Sequence, residues 1–268
     1  MQRSEILARY LDALDLAPAE PSLVLLSEIV RRHVATLSFS SVGPRSGDDL
    51  PLDTEALIDR IVVRRRGGYC FEQNGLLFEM LAELGFDVTL YLARIVFNRD
   101  GHPALTHRIT VVSLDGADWL VDVGFGPLGP PMPVAMSGEV AADGWRRFRV
   151  HVLDDGARAL QVDRDGEFVP LYRFDLVRFG QADAELGHFY SHRHPEATFV
   201  NNLVASRILD DEIRSLRNRE YVVITSAGQS AHPVDDASDL HRILVEELGL
   251  EVDEAEAHRL FGELPRGT

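Results

Sequence analysis

Cysteine occurs once in the 268 residues, at Cys70. A single thiol excludes an internal disulfide and a cysteine-based zinc site. It suits a reducing cytoplasm, where a nucleophilic thiol survives. Long hydrophobic runs are also missing: no stretch reaches membrane-spanning length, and the start, Met1-Gln2-Arg3-Ser4-Glu5, has no signal-peptide core. A cytoplasmic location is therefore expected. Positive charge is in short supply, with 27 basic against 43 acidic residues and a net charge of −16. That balance argues against non-specific binding to nucleic acid or anionic membrane. An anionic cosubstrate would need a local basic patch. Histidine is plentiful, but His188, His192 and His194 have neither a cysteine nor a tight carboxylate set beside them, so no metal site is expected.

What is present centres on the lone thiol. Arg65-Arg66-Gly67-Gly68-Tyr69-Cys70-Phe71-Glu72-Gln73-Asn74 places two glycines before it and a helix-periodic run, Leu77, Met80, Leu81 and Leu84, after it. Glycine permits positive φ and close backbone approach. The pattern puts Cys70 at a helix N-terminus, where free N–H groups and the helix dipole stabilise a thiolate. Arg64, Arg65 and Arg66 act in the same direction. The competing reading is a small buried hydrophobe, the usual fate of a free cysteine; the glycine pair, the helix start and the arginines weigh against it.

Residues 1–85 read as helical. Ile6, Leu7, Tyr10, Leu11 and Leu14 share one face, and Pro18 and Pro21 end that helix. Ser22 is a candidate N-cap for a helix carrying Leu25, Leu26, Ile29, Val30 and Val34. Residues 38–53 read as a loose stretch and 54–63 as a short helix. The cysteine helix ends at Leu84-Gly85. The period then changes to that of strands: 88–97, 107–114, 119–123, 148–153, 157–162 and 168–174, with Asp-Gly turns at 115–116, 155–156 and 165–166 and a Pro/Gly-rich loop over 124–138. This middle third, residues 86–190, predicts antiparallel β structure of barrel type. From Ala182 the chain mixes a helical patch, strands at 200–209 and 221–225, and helices at about 236–248 and 253–262.

A nucleophilic cysteine needs a base held by a third group. His107 opens a strand whose hairpin partner ends in Val121-Asp122-Val123-Gly124-Phe125-Gly126. With Asp115-Gly116 as a two-residue loop, Leu114 faces Ala117 and Ile109 faces Asp122. His107 then lies on the same sheet face as Asp122, as a diagonal neighbour about 7–8 Å away at Cα. An aspartate capping the turn before Gly124 is the simpler reading of Asp122, but it leaves the histidine opposite unexplained. The order Cys70, His107, Asp122 matches papain-like and transglutaminase-like enzymes. The candidate chemistry is thiolate attack on a carbonyl, with backbone N–H groups at the helix start, Cys70's included, as oxyanion donors. His33, His151 and His241 read as ordinary core or surface residues.

These residues resemble the arylamine N-acetyltransferases. Arg66-Gly67-Gly68-Tyr69-Cys70-Phe71-Glu72-Gln73-Asn74-Gly75-Leu76 is similar to the family's cysteine motif, Leu84-Gly85-Phe86 to the end of its helix, and Thr106-His107 and Asp122-Val123-Gly124-Phe125-Gly126 to its histidine and aspartate motifs. Residues 190–203 resemble its passage into a third domain. The resemblance spans about residues 5–262. It implies an α+β fold of three domains: a helical domain (1–85), an antiparallel β-barrel (86–190) and an α/β lid with its connecting segment (191–268). It implies acetyl-CoA as cosubstrate with no permanently bound cofactor, and ping-pong transfer through an acetylated Cys70 to an arylamine or hydrazine. It places CoA contacts at Thr106, Phe125, Gly126 and Phe199. Arg193 or Arg207 is a candidate source of positive charge for CoA, and Phe39, Tyr69, Phe97, Phe125, Phe199 and the 98–106 loop are candidate pocket walls.

The sequence departs from the family at one place. The family's first domain usually reads His…Pro-Phe-Glu-Asn-Leu; here Ser40 stands where its glutamate, the usual partner of the cysteine-motif arginine, would be. Arg66 therefore needs another acceptor, with Glu72 or a backbone carbonyl as candidates, because an unpaired buried charge is costly. Gln73 replaces a common leucine. Three further readings stand beside acetyl transfer: an amide synthase of natural-product assembly on the same fold, a cysteine hydrolase, and a binding module that has lost activity.

Overall fold

The computed structural model describes residues 3–99 and 101–265. Met1 and Gln2 of the expected first helix, Asp100 of the expected wall loop and the last three residues of the expected lid lie outside the described residues.

Helices α1 (Arg3–Ala13) and α2 (Leu23–Thr36) bury the expected faces, Ile6, Tyr10 and Leu11 in the first and Leu25, Leu26, Ile29, Val30 and Val34 in the second. Ser22 caps α2, its Oγ accepting from the Leu25 N–H at 3.2 Å, which satisfies one of the free donors of the first turn. The stretch expected to be loose holds a two-residue strand, β1 (Phe39–Ser40), and a short helix, α3 (Val42–Ser46). Asp53 caps α4 (Thr54–Ile58), which runs on as a π turn over Asp59–Val63. Helix α5 (Cys70–Glu83) is buried over most of its circumference and stops where Gly85 takes φ +89°. Leu76, Leu77, Met80 and Leu81 of α5 lock into the core made by α1, α2 and α4, each worth about 1.5–3 kcal/mol of burial.

Eight strands follow the cysteine helix: β2 (Asp87–Ile95), β3 (His107–Leu114), β4 (Ala117–Val121), β5 (Val134–Ala135), β6 (Ala141–Asp143), β7 (Arg146–Val152), β8 (Arg158–Arg164) and β9 (Glu167–Phe174). They form one antiparallel sheet in the order β5-β4-β3-β2-β9-β8-β7-β6. The sheet curls until β5 returns against β7, a nearly closed barrel around Ile109, Leu120, Phe148, Leu160 and Phe174. Two of the three expected Asp-Gly turns have both residues at positive φ, Asp115 (+52°) with Gly116 (+78°) and Asp165 (+56°) with Gly166 (+91°), the twist that suits a two-residue hairpin.

The chain then runs through α6 (Gln181–Arg193) and α7 (Thr198–Asn201) into β10 (Val204–Ile208), β11 (Glu212–Arg217), β12 (Glu220–Thr225) and β13 (Gly228–Pro233), and ends in α8 (Ala237–Arg242), which continues as a π turn over Ile243–Glu247, and α9 (Glu254–Glu263). The strand expected from residue 200 begins only at Val204. Asn201 and Asn202 instead close a helical turn by donating side-chain hydrogen bonds to the Ala197 and Thr198 carbonyls. Strands β11 and β13 were not expected. In β11, Ile213 and Leu216 are three apart and face opposite sides of the sheet, Ile213 into the helical core and Leu216 against the C-terminal helices. A strand buried on both faces carries no period of two. All six residues of β13 are exposed, at the sheet edge. The sheet runs β1-β10-β11-β12-β13, so the short strand that lies beside the cysteine loop, Phe39 bridging Gly68, is stitched to the C-terminal third.

Candidate active site

The turn that presents Cys70 is held from several sides. Gly67 has φ +64°, and a Cβ there would stand 2.6 Å from the Ser38 carbonyl oxygen. Ser40 N–H donates to the Gly68 carbonyl at 2.9 Å, and Tyr69 N–H donates to Glu72 Oε2 at 3.2 Å. Cys70 and Phe71 open α5, so their N–H groups have no intrahelical acceptor; they stand at the helix start, where the sequence reading looks for candidate oxyanion donors. The Tyr69 hydroxyl donates to His188 Nδ1 at 2.5 Å, and His188 Nε2 donates to the Leu50 carbonyl at 2.7 Å. Both nitrogens of His188 are thus used in hydrogen bonds. Burial first, with His192 beside it, pushes its pKa down to about 4 and keeps it neutral.

Arg66 has found a partner far along the chain. Its guanidinium forms a two-point bond with Glu256 of α9 (Nη1–Oε2 2.6 Å, Nη2–Oε1 2.5 Å), and Nη1 also donates to the Glu251 carbonyl at 2.8 Å. Of the two acceptors anticipated, the backbone carbonyl is present and Glu72 is not. Glu72 is fully buried and occupied by Arg60, whose Nε lies 2.9 Å from Oε1, off-line for a hydrogen bond but close enough for an ion pair. Burial raises the Glu72 pKa to about 7 against the pull of Arg60 and the Tyr69 N–H. Gln73 also has work: its side-chain amide donates to the Leu37 and Ser38 carbonyls, and its Oε1 accepts from His33 Nε2 at 2.8 Å. His33 in turn accepts from the Tyr10 hydroxyl at 2.8 Å, and burial lowers its pKa to about 4.

Across from the thiol, the hairpin register is the expected one. Leu114 pairs with Ala117 and Thr110 with Val121, which sets Asp122 opposite Ile109 just beyond the end of β4. His107 Nε2 donates to Asp122 Oδ2 at 2.7 Å, both side chains buried. Asp122 Oδ1 accepts from Asn74 Nδ2 at 2.8 Å and from the Gly124 N–H at 2.9 Å. Asn74 sits one turn after Cys70 and also bonds the Arg108 carbonyl and the Val123 N–H, at 2.6 and 2.9 Å. One side chain therefore ties the cysteine helix to both strands that carry the pair. The remaining ring nitrogen of His107, Nδ1, is the one turned to Cys70, while the thiol also reaches the Thr106 carbonyl at 3.6 Å. Burial disfavours the His107 cation, but the Asp122 charge and hydrogen bond, helped by Cys70, outweigh it and push the pKa up to about 10. Asp122 is held below the carboxylate range: burial opposes this, and His107, Asn74 and the Gly124 N–H prevail. Phe125 meets the His107 ring edge-on at 5.5 Å, and Tyr172 packs on it at 4.9 Å.

Cys70 and His107 open into a cavity of about 400 Å³. Thr106, Phe125 and Phe199 line it as expected, together with Arg99. Gly126 does not line it; with φ +86° it turns the loop behind, against Phe39 and Ser206. Phe39 and Tyr69 stand one layer back, against Phe199 at 5.7 and 5.3 Å, and Phe97 lies under Arg164. Arg193 bonds Gly47 and Asp49, and Arg207 bonds the Ala35 carbonyl; neither reaches the cavity. The cation at the mouth is Arg99, which donates to Thr198 Oγ1 at 3.1 Å. The sequence reading missed Asn74, Arg99 and Glu256. Asn74 had a signal in its spacing of four from Cys70, and Arg99 lies in the 98–106 loop expected as a wall, though its charge was not singled out; Glu256 had none.

A family model described as N-acetyltransferase matches residues 22–257. The arylamine N-acetyltransferase of Mycobacterium tuberculosis is 34% identical over 92% of this chain and 89% of its own length. The chain belongs to the arylamine N-acetyltransferase family. The Escherichia coli family member is 32% identical over 84% of this chain and 81% of its own. Among solved structures, the Mycobacterium marinum enzyme in complex with CoA superposes with a TM-score of 0.91 at 30% identity, covering 96% of this chain and 99% of that one. The Salmonella typhimurium enzyme superposes at 0.90 with 27% identity, covering 96% and 98%. The fold is the α+β family fold of helices, barrel and C-terminal α/β layer. Among the described residues no helix is long and apolar enough to cross a membrane.

Proposed function

We propose that this chain moves an acetyl group from acetyl-CoA to the nitrogen of an arylamine or hydrazine, with Cys70, His107 and Asp122 as the catalytic set. The observation that carries the proposal is the meeting, in one cavity, of a helix-opening thiol with a His107–Asp122 pair bonded at 2.7 Å. The Cys70 thiolate attacks the thioester carbonyl, and its N–H and that of Phe71 receive the oxyanion. As the tetrahedral intermediate collapses, His107 gives its proton to the departing CoA sulfur, leaving an acetylated Cys70. The amine nitrogen then attacks, His107 takes its proton, and the acetylamine leaves with the thiolate restored. Asp122 holds the ring in the tautomer that turns Nδ1 to the sulfur. Thr106, Phe125 and Phe199 contact CoA where they line the cavity, and Gly126 shapes the loop that carries Phe125. Division into units at about residues 85 and 190 follows the change from helical to barrel core and the entry into α6, and a reducing cytoplasm suits the free thiol.

The test is CoA release from acetyl-CoA with and without an arylamine. Expected without acceptor is one CoA per chain and a mass gain of one acetyl group on Cys70, and turnover only when the amine is added. A Cys70→Ala variant should lose at least ~10³-fold of the activity. Full activity in that variant, or equal CoA release with no acceptor, would sink the proposal; the second outcome would make the chain a thioester hydrolase.

A further inference from the structure

Two arginines that the site does not use face a second cavity. It holds about 200 Å³, lies against the cysteine loop without reaching Cys70, and is lined by Thr36, Ser38, Arg65, Gly67, Arg207 and Gly249 among others. No carboxylate lines it among the described residues, in a chain whose net charge is −16. The chain has no lysine, so all 27 of its basic residues are arginine, a group that stays protonated and grips oxyanions through a planar fork.

The neighbours of these two arginines are paired, and they are not. Arg64 bonds Asp59 at 2.7 Å, and Arg66 is clamped by Glu256. Arg65, between them, has no carboxylate within reach among the described residues, and its backbone is held at φ +47°, a conformation that side-chain-bearing residues rarely adopt. Arg207 is half-buried and has one partner, the Ala35 carbonyl at 2.5 Å. Directly across the strand pair stands Arg214, whose own charge is met by Glu212 and Glu247. Like charges opposite each other in a sheet destabilise it. Burial, Arg214 and Arg65 together press on the Arg207 charge, and no acid relieves it.

We infer that this cavity is a binding site for a phosphate group, free or as a small phosphomonoester, held between Arg65 of the cysteine loop and Arg207 of β10. A doubly charged tetrahedral oxyanion answers two guanidinium groups at once, whereas a carboxylate neutralises one. The two arginines come from opposite sides of a junction already tied by the Glu251 N–H to Arg65 carbonyl bond at 2.9 Å. The ligand therefore fastens the C-terminal third to the loop that positions Cys70.

The experiment is calorimetric titration and thermal unfolding of the whole chain with inorganic phosphate and with glycerol 3-phosphate, against sodium chloride at matched ionic strength. Both are repeated with CoA saturating. The expected result is saturable binding, a Tm higher by about 3–6 °C at ten times Kd, and an unchanged Kd in the presence of CoA. Arg65→Gln and Arg207→Gln should each weaken binding at least ~10-fold. Arg65→Gln removes no side-chain hydrogen bond seen in the structure, so it keeps the test valid if Arg207→Gln fails to fold. Tighter binding of the inorganic ion identifies free phosphate as the source, and tighter binding of the ester a phosphomonoester. A Tm rise equal to that in chloride, or equal in the parent and Arg65→Gln, overturns the inference. So does loss of phosphate binding on adding CoA, which would make both arginines part of the CoA site.

Discussion

Replacing Glu256 with glutamine tests whether a residue at the far end of the chain holds the cysteine turn. The substitution keeps the shape and removes the charge from a pair whose side chains are 16% (Arg66) and 9% (Glu256) exposed. An exposed pair is worth at most about 1 kcal/mol, and breaking a fully buried one costs about 3–5 kcal/mol. This two-point pair lies between those limits, so the expected loss is about 2–3 kcal/mol. Arg66 would retain the Glu251 carbonyl and lose one of its two carboxylate acceptors, while the Ser46 hydroxyl keeps a partner in the amide. Because Arg66 leads directly into Gly67–Cys70, kcat/KM should also fall about 10–100-fold, the cost of a misplacement near 1 Å. The assay is urea unfolding of Arg66→Gln, Glu256→Gln and the double variant, with kcat/KM for each. A coupling energy of about 1 kcal/mol or more is expected from the cycle. The sign with pH follows from Glu256. Burial raises its pKa, Arg66 lowers it more, and the net shift is downward. The stabilisation is therefore complete above the usual glutamate range and disappears as pH falls through the lowered value. Two single variants each within about 0.5 kcal/mol of the parent, with unchanged kcat/KM, would refute the clamp.

Gln73→Leu, which restores a residue common in the family, should destabilise this chain by about 2–3 kcal/mol, because it strands the Leu37 and Ser38 carbonyls and the His33 N–H in the core; a variant as stable as the parent in urea would show that the network contributes nothing. Gly124→Ala should abolish acetyl transfer, since its Cβ would stand 2.7 Å from both the Cys70 Cα and Asn74 Nδ2, and an active variant with an unchanged circular dichroism spectrum would contradict that packing. The His107 ring should remain protonated at pH 8 by nitrogen NMR, with its stabilising charge complete below pH 6.5 and lost as pH rises through about 10. Asp122→Asn should bring that titration back toward 6.5, and a neutral ring at pH 8 in the parent would remove the ion-pair reading.

The pair on the sheet was legible because hairpin geometry is local. Asp115-Gly116 fixes a two-residue turn, the turn fixes register, and register fixes the face on which His107 and Asp122 meet. The helix start at Cys70 was legible for the same reason, since periodicity and glycine act over a few residues. What the sequence concealed is long-range. Arg66 and Glu256 are 190 positions apart, and nothing near either residue marks the other as its partner. Strand β11 escaped because Ile213 and Leu216 serve two different cores, which erases the alternation a strand is read from. Arg193 and Arg207 drew attention as charges, but a charge count carries no direction, and the arginine at the cavity mouth proved to be Arg99.

The site then rests on contacts of two ranges with different consequences. Asn74 joins the cysteine helix to Asp122, Val123 and Arg108 within one side chain, so the thiol and its base are fixed to each other by the helix and barrel alone. The turn that aims the thiol is fixed by the C-terminal third, through β1 pairing with β10, through Glu256 on Arg66 and through Glu251 on the Arg65 carbonyl. In the family pattern described above, the glutamate that bonds the cysteine-motif arginine lies in the first domain. Ser40 occupies that position here and bonds the Val42 N–H instead. Moving the acceptor from a neighbouring loop to α9 makes the aim of Cys70 conditional on docking of the last helix, while the His107–Asp122 pair is not. Loosening α9 should for that reason act on the thiol before it acts on its base.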